Sequence, residues 1–258
     1  MPEIAPLLIP WKHGNERQQT RMQSMVRKLA LERPAVSFID SDCSLEHLGR
    51  HFRPFHLVKL PNGREMLLRW YDTRILPIWL DVMTPKQKSG FVEGIGQWRM
   101  YDRYGDAIDL PLSVNGGEGL PALPPYTLDE VQYANLLEAC RPDVMIAHLR
   151  QVAPDQMRAL PQRVLYPFVQ KHLAQARGHG LDNLDDQGHY LILALSTSGR
   201  FLEHSHVRER LALRADEHGQ PFGDWAMSVP DTVFETGTPL WEHEFPEQDP
   251  DARMDDIA

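Results

Sequence analysis

Two hydrophobic periods alternate along the first hundred residues, and each change of period marks an element. Pro6 to Ile9 reads as a short apolar strand and Lys12-His13-Gly14-Asn15 as a polar turn. Met22, Met25, Val26 and Leu29 then recur at helical spacing behind Asn15, a plausible N-cap. Pro34 stops that helix, and Ala35 to Ile39 alternates like a strand. Ser44 is placed to cap a short helix through Phe52, with Leu45 and Leu48 facing inward. Phe55 to Leu60 and Glu65 to Tyr71 are strand-like runs joined by Pro61-Asn62-Gly63-Arg64, where Asn-Gly predicts a type I′ hairpin turn. Asp72 is expected to cap a helix over Thr73 to Met83, whose Ile75, Leu76, Ile78, Trp79, Leu80 and Val82 form a broad apolar face. Thr84-Pro85 has the chemistry of another helix start, with Phe91 and Val92 to bury, and Gln97 to Tyr101 alternates as a last strand.

The periodic signal fades between Gly105 and Pro125, where Gly116, Gly117 and Gly119 fall among four prolines. Beyond it the pattern turns helical, over Leu128 to Cys140, Val144 to Val152, Val164 to Ala176 and Asp185 to Ser196, with one more helix expected from Phe201 to Arg214. The expected organisation is a mixed α/β lobe over 1–104, a linker over 105–126, a helical lobe over 127–230 and a flexible acidic tail over 231–258. In fold class this is an α+β chain: a small mixed sheet with an antiparallel hairpin, followed by an all-α lobe.

Charge sharpens that picture. The net charge of the 258 residues is −9, and from Asp231 onward nine carboxylates face one arginine, so the body is almost neutral. A neutral body argues against nucleic acid, which demands a concentrated basic face. Cys43 and Cys140 stand far apart, which fits a reducing compartment. The opening MPEIAPLLIPWKHGNE has no basic region ahead of a long apolar run, so no signal peptide is expected, and no stretch is long enough for a membrane helix. A cytoplasmic protein is the expectation.

Four constellations could carry chemistry. Gly116-Gly117-Glu118-Gly119 precedes prolines instead of opening a helix, which suits a linker better than a phosphate loop. Cys43, His47 and His51 stack at i, i+4 and i+8 and could in principle hold zinc, although no fourth ligand is visible. His204 and His206 share a face only if they lie on a strand. The strongest polar cluster is Arg69-Trp70-Tyr71-Asp72-Thr73-Arg74, read chiefly as a charge-satisfied corner and secondarily as a partner contact. No catalytic residue, metal ligand or cofactor is assigned. Arg69, Trp70, Asp72 and Arg74, together with Trp225 and Trp241 in the weakly patterned C-terminal stretch, are the candidate partner-binding residues.

His51-Phe52-Arg53, the hairpin ending Leu60-Pro61-Asn62-Gly63-Arg64, and Leu67 through Leu76 together resemble the type VI secretion adaptor-chaperone domain, whose members carry a similar "PDG…LLRFYDPRVL" stretch. Trp98 and Tyr101-Asp102-Arg103 fit the strand that follows, and the resemblance covers roughly residues 5 to 103. It implies a protein without catalysis that binds an effector toxin and helps load it onto the VgrG spike. Thr73 stands where that family usually has proline. Family members also begin with a further strand and helix before the segment matching Ile4 to Trp11; the sheet edge this leaves open is expected to reflect either a trimmed chain or completion by a partner strand. A hydrolase built on the Cys43 or His204 clusters, and an immunity protein that neutralises a toxin, are the rival readings.

Overall fold

The computed structural model describes residues 6–11, 15–114, 120–213 and 219–246. The described residues divide into two compact units, one up to Cys140 and the other from Arg141.

In the first unit, helix α1 (Glu16–Glu32) starts on a reciprocal cap in which the Asn15 side chain accepts from the Gln18 backbone and the Gln18 side chain accepts from Asn15. Strand β1 (Ser37–Asp40) follows. Helix α2 (Leu45–Phe52) begins at Ser44, whose hydroxyl accepts from His47 N–H. Leu48 and Phe52 turn inward, whereas Leu45 is exposed. Strands β2 (Leu57–Lys59) and β3 (Glu65–Leu67) form the hairpin. Helices α3 (Leu76–Val82) and α4 (Pro85–Phe91) come next, the second opened by a Thr84–Gln87 reciprocal cap. Strands β4 (Gln97–Tyr101), β5 (Ala107–Asp109) and β6 (Tyr126–Thr127) complete the unit.

Two three-stranded sheets result. One has the antiparallel order β1-β4-β5; the other is mixed, with order β3-β2-β6, β2 pairing antiparallel with β3 and parallel with β6. Between them lies an aromatic core of Phe52, Phe55, Trp70, Trp79, Phe91, Trp98 and Tyr126, all nearly inaccessible to solvent. Edge-to-face contacts such as Phe55–Phe91 (5.1 Å, 88°) and the stacked Phe91–Trp98 pair (5.7 Å, 24°) fill it at the geometries that aromatic quadrupoles favour.

Several expectations are corrected here. Pro6 to Ile9 is not a strand: Leu8 packs on the core while Leu7 and Ile9 stand exposed. The hairpin turn is not type I′, because only Gly63 has positive φ (80°). Proline at 61 fixes a negative φ, so Leu60–Gly63 closes with Gly63 N–H on Leu60 O at 2.9 Å, and Gly63 then takes the left-handed bulge position before Leu60 N–H meets Arg64 O. Residues 105–126 are not a free linker. They supply β5, bury Leu110 and return β6 to the second sheet; Gly116, Gly117 and Gly119 lie outside the described residues.

Helix α5 (Glu130–Val152) continues past Pro142, where a break is expected, and the division between the units falls within its sequence. An interior proline forfeits a backbone bond, and buried side chains on either side of it, Leu136 in one unit and Met145, Ile146 and Leu149 in the other, hold the helix.

The second unit continues with α6 (Pro154–Arg158), α7 (Gln162–Gly178), α8 (Leu184–Ser196), α9 (Ser205–Ala212) and α10 (Phe222–Ala226), and none of its described residues is in a strand. The helix expected from Phe201 to Arg214 is split by His204, which ends a 3₁₀ turn and caps α9. Tyr190 and Phe201 meet edge to face at 4.9 Å in a core with Val207, Phe222 and Val233. The stretch from Asp231 is not wholly a flexible tail, since Asp231–Thr236 and Leu240–Glu242 form 3₁₀ turns that bury Val233 and Leu240. Residues 247–258 lie outside the described residues. No helix among the described residues is long and apolar enough to cross a membrane.

Candidate functional site

Chain leaving β3 must turn into α3, and the residues at that corner determine how. Leu68 N–H still pairs with His56 O at 2.8 Å, so the strand alternation carries on past β3: Leu68 is buried, Arg69 exposed and Trp70 buried. Trp70 stacks on Phe52 (4.7 Å) and on His56 (5.4 Å). Burial under this stack holds the His56 imidazole below its ordinary value.

Asp72 is 4% exposed and serves three bonds. Its Oδ1 accepts from the Arg74 backbone N–H and from Arg74 Nε, both at 3.0 Å, and its Oδ2 accepts from Arg74 Nη2 at 2.7 Å. The Asp72 carbonyl meanwhile accepts from Ile75 and Leu76 N–H, and Thr73 N–H donates to Pro34 O. Asp72 therefore does not cap α3 through its side chain, as expected; the arginine two residues on claims the carboxylate. Helix α3 starts later, at Leu76, with Pro77 in the first turn where its missing N–H costs nothing. Arg69 lies over the Tyr71 ring at 5.9 Å with its guanidinium toward solvent.

Of the six candidate partner residues, Trp70, Asp72 and Trp225 are thus interior. Trp225 belongs to the second unit's core, with Arg210 over its ring at 5.8 Å and Phe222 at 5.2 Å. Arg210 also reaches Gln220 O at 2.7 Å. Arg69 is exposed, and Arg74 and Trp241 are partly accessible. Arg69, Trp70, Asp72 and Arg74 lie in the first unit, and Trp225 and Trp241 in the second.

The metal candidates separate. Cys43 Sγ sits against Gly94, where an added Cβ would come within 2.8 Å, while His51 Nε2 is bonded to Phe91 O at 3.0 Å. His204 accepts from His206 N–H through Nδ1 and meets Thr232 Oγ1 through Nε2. Among the described residues no three of His, Cys, Asp and Glu gather as metal ligands.

One contact between distant residues escapes sequence reading: Ser198 Oγ lies 2.9 Å from His243 Nε2. Ser198 also has φ +52°, which invites a nucleophile reading. Its hydroxyl, however, donates to Thr238 O at 2.6 Å, so the imidazole must present its N–H, the reverse of what proton abstraction requires. The positive φ belongs to the end of α8, where Gly199 N–H closes on Ala194 O at 2.7 Å. Serine and histidine here pin the 238–243 segment to the helix end.

What the fold defines is an aromatic-cored α/β unit in which Arg74 pairs the buried Asp72 carboxylate, and a second, helical unit. Residues 1–90 match the model of a family described as a domain of unknown function (DUF4123). No curated protein and no solved structure matches the chain.

Proposed function

We propose that this chain is an adaptor of type VI secretion that binds an effector toxin and helps load it onto the VgrG spike, working in the cytoplasm and without catalysis. The observation that carries this reading is the family match over residues 1–90, a domain associated with such effectors, on the segment that holds the hairpin and the Asp72–Arg74 corner. A corner whose carboxylate is saturated by its own arginine suits a rigid scaffold better than a reacting group. Arg69 and Arg74 in the first unit and Trp241 in the second are the accessible contact residues of this proposal, whereas Trp70, Asp72 and Trp225 are buried in their own units.

The test is delivery. Deleting the gene for this chain abolishes transfer of the co-encoded effector into neighbouring cells and leaves the producing cell no more sensitive to that toxin. Sensitisation with delivery intact identifies an immunity protein instead.

A further inference from the structure

The antiparallel hairpin offers solvent a face that its own polarity does not explain. A half-buried antiparallel strand normally alternates apolar inward with polar outward. In β2 and β3 the inward residues are Val58 and Met66, and the outward ones are Leu57, Lys59, Glu65 and Leu67. Leu57 and Leu67 are directly opposite one another in the ladder and are 43% and 56% exposed. On the other side of β2, Val58 pairs with the buried Tyr126, and the exposed Pro125 immediately precedes that strand. The outward Leu57–Leu67 pair thus bridges two adjacent strands, roughly 5 Å apart at the usual interstrand spacing. Leu123, in the segment that feeds β6, is 86% exposed and adds apolar surface nearby.

Cations are in excess beside this pair, with Arg53, Lys59 and Arg69 exposed against Glu65 and Asp129. Arg69 continues the outward alternation of β3 two residues beyond Leu67, and Arg53 is exposed on the turn leading into β2. Neither has a carboxylate within ion-pair distance among the described residues. Of the acids, Glu65 lies opposite Lys59 in the ladder, and Asp129 accepts from Gln132 N–H at the start of α5.

We propose that the outer face of β3-β2-β6, centred on Leu57 and Leu67 with Arg69 and Arg53 beside them, docks a segment of the effector in which apolar side chains are flanked by carboxylates. This rests on the adaptor reading and names the surface and the chemistry it selects. Leucines supply area, and unpaired arginines select acidic neighbours and steer their approach.

The experiment places the photo-crosslinking residue p-benzoylphenylalanine at Leu67 in the full chain co-expressed with its co-encoded effector, and at the exposed Leu184 of α8 as a control. Expected is a cross-link from position 67, not 184, to an acidic stretch of the effector. Arg69→Glu and the pair Leu57→Ser with Leu67→Ser should each weaken the complex at least tenfold with an unchanged melting temperature. A complex that forms without a cross-link at 67, or a cross-link there to a second copy or to residues 247–258, overturns the docking surface and leaves the adaptor reading intact. Failure of any complex to form removes the adaptor reading, and this surface with it.

Discussion

Arg74 holds Asp72 by two parallel bonds, Nε to Oδ1 and Nη2 to Oδ2, while its own backbone N–H takes Oδ1 as well. Such forked pairs are shorter and stronger than neutral hydrogen bonds. The carboxylate is almost wholly buried and the guanidinium about one-third exposed, so the two partners are not equivalent. Arg74→Ala strands a buried charge and should cost about 3 kcal/mol; Asp72→Ala frees an arginine that can reach water and should cost about 2. Urea midpoints of both variants check the order. Equal, negligible losses would mean the pair adds nothing to the corner.

Gln87 and Gln132 form a second buried polar knot in the first unit. Gln132 Nε2 donates to Gln87 Oε1 at 2.8 Å and to Val82 O at 3.0 Å, and Gln87 Oε1 also accepts from Thr84 N–H. Both side chains are buried. Gln132→Met should destabilise by about 2 kcal/mol, because the Val82 carbonyl and Gln87 Oε1 each lose a bond without water to replace it, although Thr84 N–H still reaches Gln87 Oε1. Chemical denaturation measures it; a loss under about 0.5 kcal/mol would show that water enters the site.

Gly90 of α4 has no room for a side chain. A Cβ there would stand 2.6 Å from Ala122 O and 2.8 Å from Tyr126 Oη, which itself donates to Gln87 O at 2.7 Å. Gly90→Ala should therefore lower the melting temperature despite alanine's better helix propensity, by an amount typical of overpacking, about 1–3 kcal/mol. A stabilised variant would show that the 121–126 segment yields freely.

The acid limb of stability should carry the signature of His172. Burial, aided by the adjacent Lys171, lowers its pKa to about 4, against 6.5 in an exposed chain. Above pH 6.5 both folded and unfolded states are neutral there and the group is silent. Between pH 6.5 and 4 the unfolded chain takes up a proton that the folded one refuses, so stability falls with pH, by up to about 3 kcal/mol, and levels off below. His172→Gln should flatten this limb relative to the parent. Identical slopes in the two proteins would place the imidazole in contact with water.

Local signals carried much of the fold. Asn15, Ser44 and Thr84 were legible as caps because a short polar side chain before an apolar run has few other uses, and all three accept the backbone bond they were placed for. The mixed N-terminal half and helical C-terminal half followed from period alone. What failed depended on distance. Pro142 and the 105–126 stretch look like breaks until the buried residues around them are known, and Asp72 looks like a cap until Arg74 is seen to claim it. At the candidate site, the sequence marked the corner but not its burial, so Trp70 and Trp225 read as anchors where they are core. The Leu57–Leu67 pair was hidden because both strands look evenly apolar until the register assigns their faces.

As the adaptor proposed above, this chain should hold another polypeptide. Size-exclusion chromatography with light scattering on the chain co-expressed with its co-encoded effector measures that directly. A single peak of stoichiometric mass that survives dilution to micromolar concentration is the predicted result; two separate peaks at the masses of the free proteins would contradict it.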